Sequence, residues 1–507
     1  MSNDKFNFDG LFTYDMANNH QGSVEHGLKI IRSIAKVSNE SGIQGALKFQ
    51  FRHLDTFIHP DYRESKDNKH IPRFLSTRLT PEKFEILVNE VRKNKLIPMC
   101  TPFDEESVSL ISKMDIDIIK IASCSAKDWP LLEKIALTGK PIVCSTAGLN
   151  IKDIDNIVSF FDHRGVNYAI MHCVAIYPTP SEKLQLNQIE ILNNRYPHIT
   201  IGFSTHESPE NFNAIKIAYA KGARIFERHV GVETDEIKLN AYSSTSEQIK
   251  KWINAYNEAV ALCGTENRPP VNRKEEESLK SLMRGIFIIN NIKKGAKIKR
   301  SDVFFAMPIQ EGQLSSGEWN KDLVADKDYK KYEPIPAELS KKEITRKELI
   351  YQAIHEIKGM LNEARIVVGN EFNVELSHHY GMERFREIGA TIIDCINRDY
   401  CKKLIILLPG QKHPYHYHQK KEETFQVLSG EMEVELEGKL KYMYPGDTIL
   451  VQPGVWHKFK SSRGVIFEEV STTHFTDDSF YEDKTINRMP LEQRKTKLIN
   501  WGRHQFD

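Results

Sequence analysis

The stretch DIIKIASCSAKDWPLLEKIALTGKPIVCSTAG, residues 117–148, contains the repeating unit from which the fold of the first half of the chain is predicted. It opens on a short run that is apolar on both faces, continues through residues at helical spacing, and closes on a second apolar run. Runs of this kind are typical of buried parallel strands, and a helix between two of them supplies the crossover that joins them. The stretch therefore predicts one β-α-β unit of an α/β protein.

The same unit recurs through the first half of the chain. Eight apolar runs alternate with amphipathic stretches, and they begin at Phe12, Ala46, Ile97, Asp117, Pro141, Tyr168, Ile199 and Arg224. Eight such units in about 250 residues match the size of one (β/α)8 TIM barrel. We therefore predict a barrel of this type over residues 1–265.

Composition and charge narrow the classes of function. The chain has 507 residues, with 70 Lys and Arg against 69 Asp and Glu, so no overall field would attract nucleic acid or an anionic membrane. The 7 cysteines form no C-x-x-C pair and lie mostly in apolar runs, which favours reduced core thiols. No run has the length of a membrane span, and the N-terminus lacks the features of a signal peptide. We expect a cytoplasmic protein whose partners are small molecules.

Polar residues cluster where the predicted strands end. In barrel enzymes the carboxyl ends of the strands carry the active site, because the loops there converge on one opening. Lys48 and Lys120 lie on predicted core strands, where a buried ammonium requires an anionic partner, so with nearby hydroxyls they predict a phosphate pocket. His206 and His229, on neighbouring strands, are candidate ligands of a divalent metal. Taken singly, each lysine is equally consistent with a salt bridge and each histidine with an ordinary hydrogen bond.

Several motifs resemble those of the sialic acid synthases, which include the N-acetylneuraminate, legionaminate and pseudaminate synthases. The matching motifs are NNHQG, KFQ, CTPFD, KIAS, PLLEKIALTGKPIVCSTAG, HCVAIYPTP, FSTHES and ERHV, in this order over residues 12–265. A further stretch, RGIFIINNIKKGAKIKRSDVFFAMP from Arg284, resembles the start of the antifreeze-like SAF domain that follows the barrel in this family. The resemblance predicts a small SAF β domain over residues 266–340.

The resemblance also implies a reaction. Phosphoenolpyruvate would condense with an open-chain N-acylated aldose related to N-acetylmannosamine, with water consumed and phosphate released. By position, the residues that would hold phosphoenolpyruvate are Lys48, Thr101, Lys120, Ser123, Ser145 and Ser204. Those that would face the acceptor sugar are Gln50, Tyr177 and Glu227. His206 and His229 would bind Mn or Mg, and Arg284 would reach the barrel mouth of a partner chain in a domain-swapped homodimer.

The chain departs from the family pattern on the acceptor side. Asp15 stands where the family usually has glutamate, so a general acid or base there would reach less far. Ala175 replaces a small polar residue, and Asn240 and Ala241 stand where an acidic residue and a histidine are expected. Two alternatives therefore stay open: a Schiff-base aldolase that uses Lys120, and a non-catalytic sugar-binding sensor. For the synthase, the predicted catalytic residues are Asp15, Lys120, His206 and His229.

The C-terminal third carries a second metal motif. Residues 341–364 have helical spacing and predict a linker, and residues 365–507 contain short β-rich runs. Two runs, GQKHPYHYHQKKEETFQVLSG and GDTILVQPGVWH, have the spacing of the two cupin motifs, which predicts a cupin β-barrel. Its predicted ligands are His416, His418, Glu423 and His457. The two histidines of HYH share one strand face, and three imidazoles with a carboxylate suit Mn, Fe, Ni or Zn.

The sequence does not choose a role for the cupin. Cupins include sugar isomerases, epimerases, dioxygenases and plain sugar-binding modules, and a structural or dimerising role is equally open. His378, His379 and His413 receive no role and are interpreted as including ordinary surface histidines.

Overall fold

The computed structural model describes residues 5–65, 67–266, 268–340, 344–369, 371–475, 477–499 and 501. The chain divides into two compact units, Met1–Pro270 and Val271–Asp507. Among the described residues, no helix combines the length and the apolar character that crossing a bilayer requires.

The first unit contains a closed barrel of eight parallel strands that pair in chain order. The strands are β1 Leu11–Asp15, β2 Gln44–Phe51, β3 Ile97–Pro102, β4 Ile118–Ile121, β5 Ile142–Ser145, β6 Tyr168–Cys173, β7 Thr200–Thr205 and β8 Ile225–His229. In the register, Asp15 of β1 lies opposite Lys48 of β2 and opposite His229 of β8. The predicted TIM barrel is confirmed, and closure of the barrel brings these three polar residues to one end.

Helices surround the strands of the barrel. They are α1 Val24–Glu40, α2 Leu54–Phe57, α3 His70–Ser76, α4 Pro81–Lys93, α5 Glu105–Lys113, α6 Trp129–Ala136, α7 Ile151–Asp162, α8 Asn187–Arg195, α9 Asn213–Ala220 and α10 Ser246–Cys263. α6 begins where the Asp128 side chain accepts a hydrogen bond from the Leu131 amide, because such a cap satisfies an otherwise unpaired helical donor. Its apolar face buries Leu131, Leu132 and Ile135.

Two apolar layers restrict polar residues to one end of the barrel. Outside the strands, a large core joins them to the helices, and Trp252 of α10 packs edge-on against Phe12 at a ring-centroid distance of 5.2 Å. A separate cluster near the amino ends of the strands comprises Phe8, Leu11, Ala46, Met99, Ile118, Val143, Ala169, Met171 and Ile225. Side chains two residues further along these strands point to the same side, and they supply the buried polar residues of the other end.

The second unit begins with α11 Arg273–Leu282 and a small antiparallel pair, β9 Gly285–Ile288 and β10 Val303–Ala306. Isolated bridges join this pair to later residues, and a core of its own includes Ile286, Ile298 and Ile335. This is the region for which the sequence predicts an SAF domain. Because the chain divides into only two units, the boundaries at residues 265, 340 and 364 stay predictions.

α12, Arg346–Glu363, falls within the predicted helical linker, whose residues 341–343 lie outside the described residues. This helix is more than a linker. Its apolar face, with Ile354, Ile357 and Leu361, shares a buried core with the cupin strands. We attribute the difference to its amphipathic pattern, which docks on a sheet as readily as it spans solvent.

The cupin consists of a seven-stranded and a five-stranded sheet, and this confirms the predicted β-rich fold. Its strands are β11 Asn373–Ser377, β12 Ala390–Asn397, β13 Tyr400–Leu407, β14 His416–His418, β15 Glu423–Gly430, β16 Met432–Leu436, β17 Lys439–Met443, β18 Thr448–Val451, β19 His457–Lys460, β20 Val465–Thr472, β21 Ser479–Tyr481 and β22 Lys495–Leu498. Two short helices, α13 Lys484–Arg488 and α14 Leu491–Arg494, precede the last strand. β14 pairs with β19 so that His416 lies opposite His457.

Candidate functional site

Four charged side chains form one buried network at the carboxyl ends of the barrel strands. Lys48 Nζ lies 2.9 Å from Asp15 Oδ2 and 3.0 Å from Glu227 Oε1. Lys120 Nζ lies 3.3 Å from Glu227 Oε2 and donates a hydrogen bond to Ser145 Oγ at 2.6 Å. None of the four charged residues is more than 4% exposed. The two lysines that the sequence predicts for one pocket therefore lie around one carboxylate.

The two carboxylates neutralise the lysines. Burial alone would lower the pKa of Lys48, but Asp15 and Glu227 more than offset burial and raise that pKa above its usual value. Burial would likewise raise the pKa of Glu227, yet Lys120 and Lys48 hold it well below its usual range. The anionic partner that buried lysines require is thus present within the chain, a role of Glu227 that the sequence did not indicate.

Hydroxyl groups line the same network. Ser204 Oγ donates to Glu227 Oε1 at 3.1 Å, and Ser123 Oγ accepts a hydrogen bond from the Ala147 amide at 2.9 Å. Thr101 lies in register with Gln50 on the neighbouring strand. Among the described residues, its buried Oγ1 has no hydrogen-bond partner. Because buried hydroxyls are normally paired, Thr101 is available to a ligand.

The two predicted histidine ligands of the barrel face each other. The ring centroids of His206 and His229 are 5.3 Å apart, and Tyr177 lies over His206 at 4.3 Å. His206 Nδ1 lies 3.1 Å from the Val174 carbonyl oxygen, which leaves Nε2 for another partner. Burial lowers the pKa of His206 to about 4 and also lowers the pKa of His229. Both imidazoles are therefore neutral at neutral pH, the form that binds metal.

The residues around these histidines are of types that bind divalent ions. His229 Nε2 lies 3.5 Å from Asp15 Oδ2, so two neutral imidazoles and one carboxylate lie together, a combination that suits Mn or a similar metal. Tyr242, which the sequence analysis missed, packs against His229 at a centroid distance of 5.1 Å. The only sequence signal for Tyr242 is its position two residues after Asn240, one of the departures from the family pattern.

Gln50 links this group to the rim of the mouth. Gln50 Nε2 lies 3.4 Å from Asp15 Oδ2, and Gln50 Oε1 accepts hydrogen bonds from both terminal nitrogens of Arg52 at 3.3 Å. Sequence reasoning also missed Arg52. Its signal was the spacing within KFQFR, which places Lys48, Gln50 and Arg52 two residues apart along one strand direction. Tyr177 is 54% exposed at the same opening.

A second buried ion pair fixes the loop that follows β7. Arg228 donates to Glu207 Oε1 at 2.9 Å and to the Pro209 carbonyl oxygen at 3.1 Å, and both charged residues are 1% exposed. Burial raises the pKa of Glu207, while Arg228 opposes that shift. Because Glu207 directly follows His206, this pair ties a predicted metal ligand to β8.

Three histidines lie close together between the strands of the cupin. Each of His416, His418 and His457 offers a ring nitrogen, and these atoms all lie within 4.8 Å of one another. Among the described residues, no other three His, Cys, Asp or Glu side chains bring their ligand atoms this close together, so His206, His229 and Asp15 of the first unit are more widely spaced. Burial lowers the pKa of His418 to about 4 and that of His416 well below its usual value. Three buried imidazoles this close together fit a divalent transition metal.

The fourth predicted cupin ligand, Glu423, lies beside the triad but already has a cation. Its Oε1 is 3.4 Å from His418 Nε2 and its Oε2 is 3.3 Å from His457 Nε2. Oε1 also contacts the ammonium of Lys421, which pairs in turn with Glu469 at 3.1 Å. Ligation by Glu423 would therefore have to compete with this buried ion pair.

The interpretation of His378, His379 and His413 as ordinary surface histidines is wrong. All three are buried, at 1%, 0% and 7% exposure. His379 Nε2 lies 3.2 Å from His413 Nε2, and the His413 ring lies 4.5 Å from that of His416. The sequence spacing gives no sign of this, because His379 lies two residues past the end of β11 and far along the chain from His413.

Arg284 is exposed, with its guanidinium 6.0 Å from the Phe305 ring. The role of Arg284 at the barrel mouth of a partner chain stays a prediction. All seven cysteines are free, four of them buried.

Comparisons with known proteins show which family the chain belongs to. Residues 34–268 match the NeuB family, and residues 403–465 match the cupin domain. An uncharacterised protein of Methanocaldococcus jannaschii is 30% identical over 292 residues, which cover 57% of this chain and 82% of that protein. The chain belongs to the NeuB family.

Relatives of this NeuB-family chain include a solved structure and several named synthases. The crystal structure of a protein designated spore coat polysaccharide biosynthesis protein E, from Chromobacterium violaceum, is 45% identical with a TM-score of 0.61; the match covers 65% of this chain and 98% of that one. The N-acetylneuraminate-9-phosphate synthase of Drosophila melanogaster is 26% identical over 346 residues, 61% of this chain and 89% of the relative. Campylobacter jejuni relatives named N,N'-diacetyllegionaminic acid synthase and pseudaminic acid synthase are 23% and 24% identical, covering 49% and 58% of this chain and 75% and 86% of theirs.

Proposed function

We propose that this chain is a nonulosonic acid synthase that condenses phosphoenolpyruvate with an N-acylated aldose and water and releases phosphate. The observation that carries the proposal is the connected group at the barrel mouth. Lys48 contacts Asp15, Asp15 lies beside His229, and His229 faces His206. Cationic groups for an enol phosphate thus adjoin two neutral imidazoles for a metal, and the synthase relatives support the same reaction.

In this reaction Lys48 and Lys120 bind the phosphate and carboxylate of phosphoenolpyruvate as point charges. Ser123, Ser145 and Ser204 add neutral donors around it. Thr101 Oγ1, which has no partner among the described residues, gains one from the substrate. Since Glu227 holds both lysines before substrate arrives, it also keeps them oriented toward the position that the phosphate takes.

The acceptor lies against the histidines and Asp15. His206 and His229 would hold a divalent ion, which would supply Lewis-acid polarisation of an aldehyde oxygen. C3 of the enol forms a bond to the aldehyde carbon, and the cation left at C2 takes water. Asp15 accepts the proton of that water and returns it to the new alkoxide. The resulting adduct loses phosphate by C–O cleavage and leaves a 2-keto acid.

The contacts of Lys120 favour this reaction over the Schiff-base alternative. A Schiff base requires an amine that is free to attack a carbonyl, whereas Lys120 Nζ already contacts the Glu227 carboxylate and donates to the Ser145 hydroxyl. Phosphate release that requires both phosphoenolpyruvate and an aldose supports the synthase. Trapping of pyruvate on Lys120 by borohydride would support the aldolase instead, and absence of both reactions would support a sugar-binding sensor.

For the barrel metal, His206→Ala is the direct test, with His198→Ala as its matched control. His198 belongs to the same unit, pairs with Asp162 and is 58% exposed at its side chain. The His206 variant is expected to lose bound Mn and turnover while its circular dichroism spectrum is kept. The control should keep all three, and near-normal turnover in His206→Ala would refute the assignment.

We also propose a second divalent metal, Mn, Fe, Ni or Zn, held by His416, His418 and His457 with Glu423. The triad geometry supports this ion, and metal analysis of the purified chain tests it. Activity and binding assays with candidate sugars would distinguish three roles of the cupin: an isomerase, a sugar-binding module or a structural element. The domain-swapped homodimer with Arg284 at a partner's mouth rests on the sequence resemblance.

A further inference from the structure

Arg52 is a cation of the barrel mouth that lies between aromatic rings. It directly follows β2, and its guanidinium carbon lies 3.5 Å from the ring centroid of Phe103 and 4.0 Å from that of Phe74. Gln50 Oε1 accepts from both terminal nitrogens at 3.3 Å. Within the part of the chain that the structure describes, its buried Nε has no hydrogen-bond partner.

Arg52 differs from the two lysines of the mouth in having no ion pair with a described residue. Lys48 pairs with Asp15 and Glu227, and Lys120 pairs with Glu227. Asp15 and Asp104 attract the guanidinium only from beyond ion-pair distance. Burial lowers the pKa of Arg52 to about 10, so it remains protonated at neutral pH. A cation withdrawn from water is costly without a partner, and the two aromatic faces recover only part of that cost. The site therefore favours an anion from outside.

The position of Arg52 indicates which part of a substrate this anion belongs to. Lys48, Gln50 and Arg52 follow one another along a single strand direction at intervals of two residues, so each interval spans roughly 6.6 Å. Lys48 lies at the charged network and Arg52 at the rim. A substrate that starts at the network and extends past Gln50 ends beside the guanidinium.

We propose that Arg52 binds an anionic group at the distal end of the acceptor sugar, a phosphate monoester or a carboxylate on the carbon farthest from the aldehyde. This inference rests on the proposed function, because the aldehyde must lie near His206 and His229 for the other end to reach the rim. A guanidinium suits both groups, since its planar donors match two oxygens at once. Arg52 is then a specificity-determining residue.

Steady-state kinetics with three acceptors test the assignment. The probes are N-acetylmannosamine, its 6-phosphate and the corresponding 6-carboxylate, each with saturating phosphoenolpyruvate. In the unmodified enzyme, kcat/KM for one of the two anionic sugars should exceed that for the neutral sugar by about 10- to 100-fold. The anionic sugar with the higher kcat/KM shows whether Arg52 binds a phosphate or a carboxylate. Equal kcat/KM for all three sugars would overturn the proposal.

Variants connect the preference to the side chain. Arg52→Gln should reduce the ratio of anionic to neutral kcat/KM to about one, through KM for the anionic sugar. Arg52→Lys keeps a cation between the rings without the planar donor pair, and an intermediate ratio is expected. Arg164→Gln is the matched control, because Arg164 is also stacked on a phenylalanine, Phe160 at 3.7 Å, but is exposed on the outside of the barrel. An unchanged ratio in Arg52→Gln, or a rise in KM for phosphoenolpyruvate instead, would overturn the assignment.

Equilibrium binding separates this inference from the proposed function. Calorimetry measures the affinity of the full chain for the 6-phosphate and the 6-carboxylate without any turnover. If no acceptor reacts with phosphoenolpyruvate, the proposed function fails, and weaker binding of an anionic sugar by Arg52→Gln would still uphold the role of Arg52. If the neutral sugar reacts as well as the anionic ones, the proposed function stands and the role of Arg52 falls.

Discussion

Glu227 is the residue on which the barrel mouth depends most, since its carboxylate contacts both Lys48 and Lys120 while 4% exposed. Replacing it with glutamine keeps the shape of the side chain and removes the negative charge. Among the described residues, Asp15 is then the one carboxylate left in an ion pair with these lysines, and it pairs with Lys48.

Glu227→Gln should therefore lower the free energy of unfolding by about 3–5 kcal/mol, as expected when a buried ion pair loses one partner. Urea denaturation followed by circular dichroism measures the change. The matched control is Glu133→Gln, which removes a half-exposed carboxylate paired with Arg164 on the outer surface and should cost at most about 1 kcal/mol. A similar cost for both variants would contradict the described network.

For single residues, the sequence predicts the site residues that lie at strand ends, but it does not predict those that lie in loops or beyond the ends of strands. Lys48 and Lys120 were found because polar residues on apolar strands are conspicuous. Tyr242 lies in a loop, and Arg52 lies one residue past the end of β2, so neither has a strand pattern to mark it. The pairing of Glu227 with both lysines depends on closure of the barrel, which no local pattern reveals.

At the scale of elements, the contact between β8 and the loop after β7 fixes the positions of the two predicted metal ligands, His206 and His229. Arg228 bridges β8 to Glu207 and to the Pro209 carbonyl oxygen while almost fully buried. Its guanidinium also lies 5.2 Å from the ring of Trp252, so α10 shares in the arrangement.

Arg228→Met should destabilise the protein by about 3–5 kcal/mol, because Glu207 would keep a buried charge without a partner. The double variant Glu207→Leu/Arg228→Met removes both charges and should recover much of that loss. A double-mutant cycle in urea measures the coupling. Additive effects of the two single changes would show that the pair does not act as a unit.

The eight barrel strands lie within two residues of the positions that the apolar runs predict, because buried parallel strands leave an unmistakable run of apolar residues. The packing of α12 was not predicted. Its apolar stripe indicates that one face is buried but does not identify the partner, and the cupin sheet that buries it lies later in the chain.

At the scale of the whole molecule, each of the two compact units carries a proposed metal site, and the second unit contains the close histidine triad. The double variant His416→Ala/His418→Ala should remove one equivalent of bound metal and leave phosphate release measurable. Metal analysis and the phosphate assay on the same sample give both results. Loss of phosphate release from correctly folded protein would indicate that the two units act as one coupled machine.

The domain-swapped dimer makes its own prediction. If each site combines the barrel of one chain with Arg284 of its partner, His206→Ala and Arg284→Ala should each be inactive alone. Refolded mixtures of the two should regain up to about a quarter of full activity, because half of random dimers are mixed and each has one complete site. No recovery in mixtures that form mixed dimers would contradict a shared site.

The proposed reaction joins an enol phosphate to an aldehyde with cleavage of the C–O bond to phosphate. Mass spectrometry after reaction of N-acetylmannosamine or its anionic derivatives with phosphoenolpyruvate, labelled with oxygen-18 in the bridging position, tests it most directly. We expect a keto acid heavier than the acceptor by one pyruvic acid, with the label in the released phosphate. Unlabelled phosphate, or no product larger than the acceptor, would contradict the account.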